Sequence, residues 1–194
     1  MIRTVFLSLA IAMAVACSEN PTPERSLADD FMTSLARHCG NAYAGRLTSS
    51  DEVDADFADR EMVVHVRTCG DEVIRAPFHV GEDRSRTWVI TRIDGGLRLK
   101  HDHRHEDGEE DAVTQYGGDA KAIDKATRIE FPVDQFSIDL FEREGLTASV
   151  TNVWALELTD SMFAYELRRE NRHFRVEFDL TTPVDVPPPP WGAQ

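Results

Sequence analysis

Three histidines stand at alternate positions, His101, His103 and His105, within the run Leu97-Arg98-Leu99-Lys100-His101-Asp102-His103-Arg104-His105-Glu106-Asp107-Gly108. On a β-strand successive side chains point to opposite faces. A strand continuing to His105 sets Leu97, Leu99 and all three histidines on one face, with Arg98, Lys100, Asp102 and Arg104 on the other. The leucines belong in a core, so the imidazoles are expected in the interior or at its mouth, where a polar ring needs hydrogen-bond partners. Three chemistries fit. The rings can form a hydrogen-bonded ladder or line a polar pocket, which is the favoured reading. They can hold a divalent transition metal, since neutral imidazole suits zinc, copper, iron or nickel. His101 and His103 would lie about 7 Å apart at the backbone, with Asp107 or Glu106 as a third ligand. Lastly, a histidine near its ordinary pKa can serve acid–base catalysis. One ion held by all three is excluded without a bulge, because His101 and His105 are then about 13 Å apart. The remaining histidines argue little. His65, His79 and His173 fall opposite the aliphatic faces of their segments and His38 ends a helix, so surface positions are expected for them.

The elements that must carry this block are legible from periodicity. Ser26 is suited to cap a helix in which Leu27, Phe31, Met32 and Leu35 recur at helical spacing, and Gly40 suits its stop. Beyond it the period changes to two. Met62, Val64 and Val66 alternate with Val63, His65 and Arg67; Ile74, Ala76, Phe78 and Val80 alternate with Arg75 and His79; then come Leu97 and Leu99. Near the end the alternation is clearest: Trp154, Leu156 and Leu158, then Phe163, Tyr165 and Leu167, then Phe174, Val176, Phe178 and Leu180. This pattern marks antiparallel strands with one buried and one wet face.

The connections are short, and Asp94-Gly95 is a strong signal for a type I′ hairpin. Many strands joined by tight turns form a meander, and closing it removes the exposed edges. The expected fold is mainly β, an antiparallel meander closing into a lipocalin-like β-barrel with an N-terminal helix. The less regular stretch 108–145 is expected to supply a lid or a helix over one end.

The N-terminus reads as a secretory leader: Arg3, an apolar run from Val5 to Ala16, then Cys17 and the polar Ser18-Glu19-Asn20-Pro21. The apolar run falls short of the roughly 20 residues that a membrane-spanning helix requires. The expected organisation is a signal peptide over 1–16, a tether over 17–25, a barrel domain over 26–183 and a Pro-rich disordered tail over 184–194. Of the three cysteines, Cys39 and Cys69 are expected to form a disulfide in an oxidising compartment. The net charge of −14 argues against binding to nucleic acid.

Ala14-Val15-Ala16-Cys17 resembles the lipobox of bacterial lipoproteins, with Ala14 where that family usually has Leu. The resemblance implies diacylglycerol on the Cys17 thiol and an acylated amino group. Several acyl chains at about 0.8 kcal/mol per buried CH₂ give a stable membrane anchor. By the sorting rule of that family, Ser18 rather than Asp after the cysteine implies the outer membrane of the cell envelope.

The run from Arg86 through Gly108, followed by Asp111-Ala112-Val113-Thr114-Gln115-Tyr116-Gly117-Gly118, is similar to a block in exported proteins of proteobacteria that have no assigned activity. It implies an exported single domain and nothing about mechanism. Gly95, His101 and His103 match the opening of a cupin motif, but Asp107 and Thr114 depart from it, so no cupin activity follows.

No nucleophile triad, phosphate loop or dinucleotide fingerprint is present in the sequence. The expectation is a lipid-anchored envelope protein, more a non-catalytic binder of a small ligand than an enzyme, with His101, His103, His105 and Asp107 at the site. A metal-binding protein or metal-dependent enzyme using His101 and His103, and an envelope scaffold, are the rival readings.

Overall fold

The computed structural model describes residues 26–120 and 122–193. The leader 1–16, Cys17 and the tether to residue 25 lie outside the described residues.

Helix α1 (Leu27–Ala36) begins as its sequence predicts. Ser26 accepts from the Asp29 backbone N–H, and Asp29 accepts from the Ser26 backbone N–H in return, forming a capping box. Then follow β1 (Ala42–Leu47), a 3₁₀ turn (Glu52–Asp54), the short α2 (Ala55–Ala58), β2 (Met62–His65), β3 (Thr68–Cys69), β4 (Val73–Val80), β5 (Asp83–Ile93) and β6 (Gly96–His103). The second half holds β7 (Tyr116–Ala120), β8 (Arg128–Pro132), α3 (Gln135–Arg143), β9 (Val153–Leu158), β10 (Met162–Arg169) and β11 (Arg172–Val184).

Apart from β3, a flap paired with β4, every strand lies antiparallel beside its neighbours in sequence, and β11 returns to pair with β1. The result is the expected meander, a nearly closed barrel of ten strands. The stretch 108–145 contributes two of those strands as well as the anticipated helix. Of these, β7, Tyr116-Gly117-Gly118-Asp119-Ala120, is hidden from periodicity because it carries little apolar alternation.

The barrel closes at a seam between β7 and β8, bridged at Gly118 and Val133. A Cβ on Gly118 would lie 1.8 Å from the Pro132 carbonyl oxygen, so only glycine permits this approach. The first turn of α3 braces the seam: Ser137 Oγ accepts from the Gly117 N–H at 2.7 Å and donates to the Asp134 carboxylate at 2.7 Å.

One corner differs from expectation. Asp94 and Gly95 join β5 to β6, but only Gly95 takes a positive φ, so the turn is not of type I′.

The interior is one apolar cluster running along the barrel. At the end where β5 turns into β6, α1 inserts Phe31, Met32 and Leu35, all at most 2% exposed, and Asp29 pairs with Arg92 of β5. The Cys39–Cys69 disulfide ties the chain after α1 to β3. Residues 187–193, expected to be disordered, instead lie along the outside of the barrel. The Trp191 N–H donates to the Arg84 carbonyl at 3.0 Å and Arg84 donates to the Pro189 carbonyl at 3.0 Å.

Candidate functional site

The opposite end of the barrel holds a cavity of about 150 Å³, open to solvent and lined largely by rings. Trp88 forms one wall. It stacks on Tyr165 at 4.4 Å between centroids and on Phe78 at 5.0 Å. Phe174 and Leu167 add further apolar surface. Such residues converge because β4, β5, β10 and β11 each turn alternate side chains inward, and inward-facing positions of a barrel lie side by side across strands.

The rim is built by electrostatics. Asp54, only 2% exposed, receives both ends of the Arg172 guanidinium at 2.5 and 2.6 Å, and Asp51 receives a third contact at 3.0 Å. Bidentate charge-assisted bonds of this kind are strong and directional. They fasten the segment from Asp51 to Ala58 across the barrel end, where Phe57 packs edge-on against Phe174 at 5.3 Å.

The histidine block meets this cavity in part. His101 and His103 both line it, as the strand alternation predicts. His101 is buried, with Nδ1 at 3.1 Å from the Tyr116 carbonyl and Nε2 at 2.8 Å from the Tyr165 hydroxyl. The carbonyl can only accept, which assigns the hydrogen to Nδ1 and makes Tyr165 the donor to Nε2. His101 also stacks face to face on Tyr116, at 4.5 Å between centroids. His103 Nε2 lies 3.1 Å from the Tyr116 hydroxyl.

Burial sets the protonation states. It lowers the pKa of His101 to about 3, helped by the neighbouring His103. It lowers that of His103 to about 4, helped by Arg86. The same burial raises Tyr116 to about 12 and holds Tyr165 well above the ordinary phenol value. At neutral pH both imidazoles are neutral and both phenols keep their protons.

His105 and Asp107 do not join them. β6 ends at His103 and the chain turns. The exposed His105 lies 3.9 Å from Asp111, and Asp107 accepts from the Glu109 N–H at 2.9 Å within the turn. The neighbouring Glu106 is likewise exposed. Strand alternation was extended two residues too far, past the turn that Gly108 permits. Among the described residues no group of three or more His, Cys, Asp and Glu side chains is placed to hold a metal ion.

His65 and His79 lie opposite the core faces of their strands, as alternation predicts, but are not exposed there. Both are buried, at 7% and 3% exposure. His79 is on the outer face, in a groove it shares with Val184, Pro187 and Pro188. Periodicity missed the burial of His79 because the groove's other wall comes from a segment remote in sequence.

Arg86, Tyr116 and Arg172 also went unremarked as site residues. Arg86 did carry a signal: it shares the face of Trp88 and Ile90, and a charged residue in register with a core face at a strand's outer end belongs at a barrel mouth. Comparison with family models, with curated proteins and with solved structures finds no match to this chain.

Proposed function

We propose that the protein is a non-catalytic binder of a small, largely apolar ligand, held in the cavity at the barrel mouth. The observation that carries this reading is the cavity itself: aromatic walls formed by Phe78, Trp88 and Phe174, with the polar groups His101, His103, Tyr116 and Tyr165 converging on them. Apolar walls with a few placed polar groups are the usual composition of a ligand site. The volume of about 150 Å³ suits a single ring or a short chain, since a cavity of that order accepts benzene.

The protonation states favour binding over proton transfer. Efficient general acids and bases have pKa values near the working pH, whereas His101 and His103 sit at about 3 and 4 and Tyr116 at about 12. These groups are fixed donors and acceptors at neutral pH, which is what orientation of a ligand requires.

Titration with toluene or benzyl alcohol, followed by NMR, tests the reading. Resonances of Trp88 and Tyr165 should shift, and a cavity-filling Leu167→Trp variant should abolish the shift. No binding of either probe, nor of a charged analogue of the same ring, at millimolar concentration would sink it.

We further propose that the domain is displayed at the cell envelope through lipid on Cys17, with the outer membrane as the favoured site. The support is the Arg3-led apolar leader ending in Ala14-Val15-Ala16-Cys17. The Cys39–Cys69 disulfide agrees with export, since such bonds persist in oxidising compartments. In a Gram-negative host the protein should partition into detergent, and Cys17→Ser should move it to the aqueous phase. Equal partition of both would refute lipidation.

A further inference from the structure

We infer that the ligand of this cavity is a small aromatic or aliphatic monoanion, its acidic group held between Arg86 and His103 at the rim. The inference rests on the binding reading above and adds the charge and orientation of the ligand. Arg86 and His103 are directly paired across β5 and β6, so their side chains leave the sheet on the same face, toward the cavity both line.

The two arginines of the rim differ in how far they are engaged. Arg172 has both guanidinium ends on Asp54 and a further contact to Asp51. Arg86 makes one hydrogen bond, from Nη1 to Asp83 at 2.6 Å, and no second acceptor contacts its guanidinium among the described residues. A guanidinium carries five N–H donors in a fixed fork that matches a carboxylate. Asp83 does not line the cavity, whereas Asp54, the carboxylate that does, is taken up by Arg172.

His103 supplies a second donor. The Tyr116 hydroxyl lies 3.1 Å from His103 Nε2, and with the phenol as donor the ring hydrogen sits on Nδ1. No protein acceptor meets that nitrogen among the described residues. An acidic group at the rim therefore finds a cation and a neutral donor, while the wall formed by Trp88, Phe78 and Phe174 receives the apolar part. A protein of net charge −14 that places an under-engaged arginine at the mouth of its apolar cavity is arranged for an anion, not a cation.

Benzoate, benzyl alcohol and benzylamine share one ring and differ in charge, so their titration at pH 7 tests the inference. Benzoate should bind at least about tenfold more tightly than the alcohol, and benzylamine most weakly. Arg86→Gln should remove the advantage of benzoate over the alcohol. On the unaltered protein, raising the salt concentration should weaken benzoate alone, a measurement that does not depend on the variant folding. Equal binding of benzoate and alcohol, or tighter binding of benzylamine, would overturn the anion assignment while the barrel remained a ligand binder. Failure of all three to bind would overturn both.

Discussion

Tyr165 donates its hydroxyl hydrogen to His101 Nε2 at 2.8 Å, and His101 in turn donates from Nδ1 to the Tyr116 carbonyl at 3.1 Å. The pair joins β10 to β6 across the barrel interior, so it fixes the far wall of the cavity as well as the ring of His101. Tyr165→Phe keeps the stacking surface against Trp88 but removes the donor. His101 Nε2 then stays buried without a partner, which costs about 1–3 kcal/mol. Urea denaturation should show that loss. The ¹⁵N spectrum of the unaltered protein should show the Nδ1–H tautomer of His101, and an Nε2–H signal would reverse the assigned direction.

The buried histidines make stability fall with acid. His79, His101 and His103 have folded pKa values of about 4, 3 and 4 against an ordinary value of 6.5. Their pKa values are lowered on folding, so the unfolded chain binds more protons below pH 6.5. The penalty is absent above that value and accumulates as pH falls toward 4. Each histidine contributes a slope of about 1 kcal/mol per pH unit in that window. The carboxylates with lowered values, Asp83 and Glu166 among them, act at still lower pH. His101→Phe should therefore flatten the profile between pH 6.5 and 4.5 by about 1 kcal/mol per unit, whatever it does to stability at pH 7. An unchanged slope in urea denaturation across that range would show that His101 titrates normally.

Gly118→Ala should open the barrel. The added methyl would meet the Pro132 carbonyl at 1.8 Å, and backbone on both sides leaves no flexible side chain to yield. Overpacking of a tight site costs about 1–3 kcal/mol, and a backbone clash belongs at or beyond the upper end. Hydrogen exchange should report the loss first in β7 and β8, because the seam is bridged there at Gly118 and Val133. Uniform loss of protection around the barrel would mean that the seam is not a separate weak point.

How much was legible followed from how local each cause was. The capping of α1 by Ser26, the inward face of β10 and the entry of His101 and His103 into the interior all depend on neighbours within a few residues, which periodicity captures. The partnering of Cys39 with Cys69 was reachable by counting thiols. What failed depended on chain brought from far away. Tyr116 follows an irregular loop, and its role is set by β6 beside it and α3 beyond it, where Phe141 packs against its ring at 5.3 Å. Arg172 reads from sequence as the end of the turn Glu170-Asn171-Arg172, and its place at the cavity is set by Asp54, more than a hundred positions earlier. His105 was lost to a more local cause, a strand that ends where the sequence alternation does not.

His79 carries the last prediction. It is 3% exposed, neither ring nitrogen has a partner among the described residues, and the Trp191 indole N–H is in the same condition. Both residues lie along the path of the C-terminal segment: His79 shares a groove with Pro187 and Pro188, and Trp191 is anchored to Arg84. Burial is the chief cause that lowers His79 to about 4, and the segment beside it is the expected source of that burial. Deleting residues 186–194 should return His79 toward its ordinary pKa near 6.5, read from its ring-proton shifts. In the full chain, His79→Phe should raise stability by about 1 kcal/mol, because an apolar ring removes the unpaired nitrogens. In the shortened chain the same substitution should gain nothing, since water then reaches the imidazole. The difference between the two measures the coupling of the segment to His79. A pKa that stays near 4 after deletion would assign the burial to the barrel strands instead.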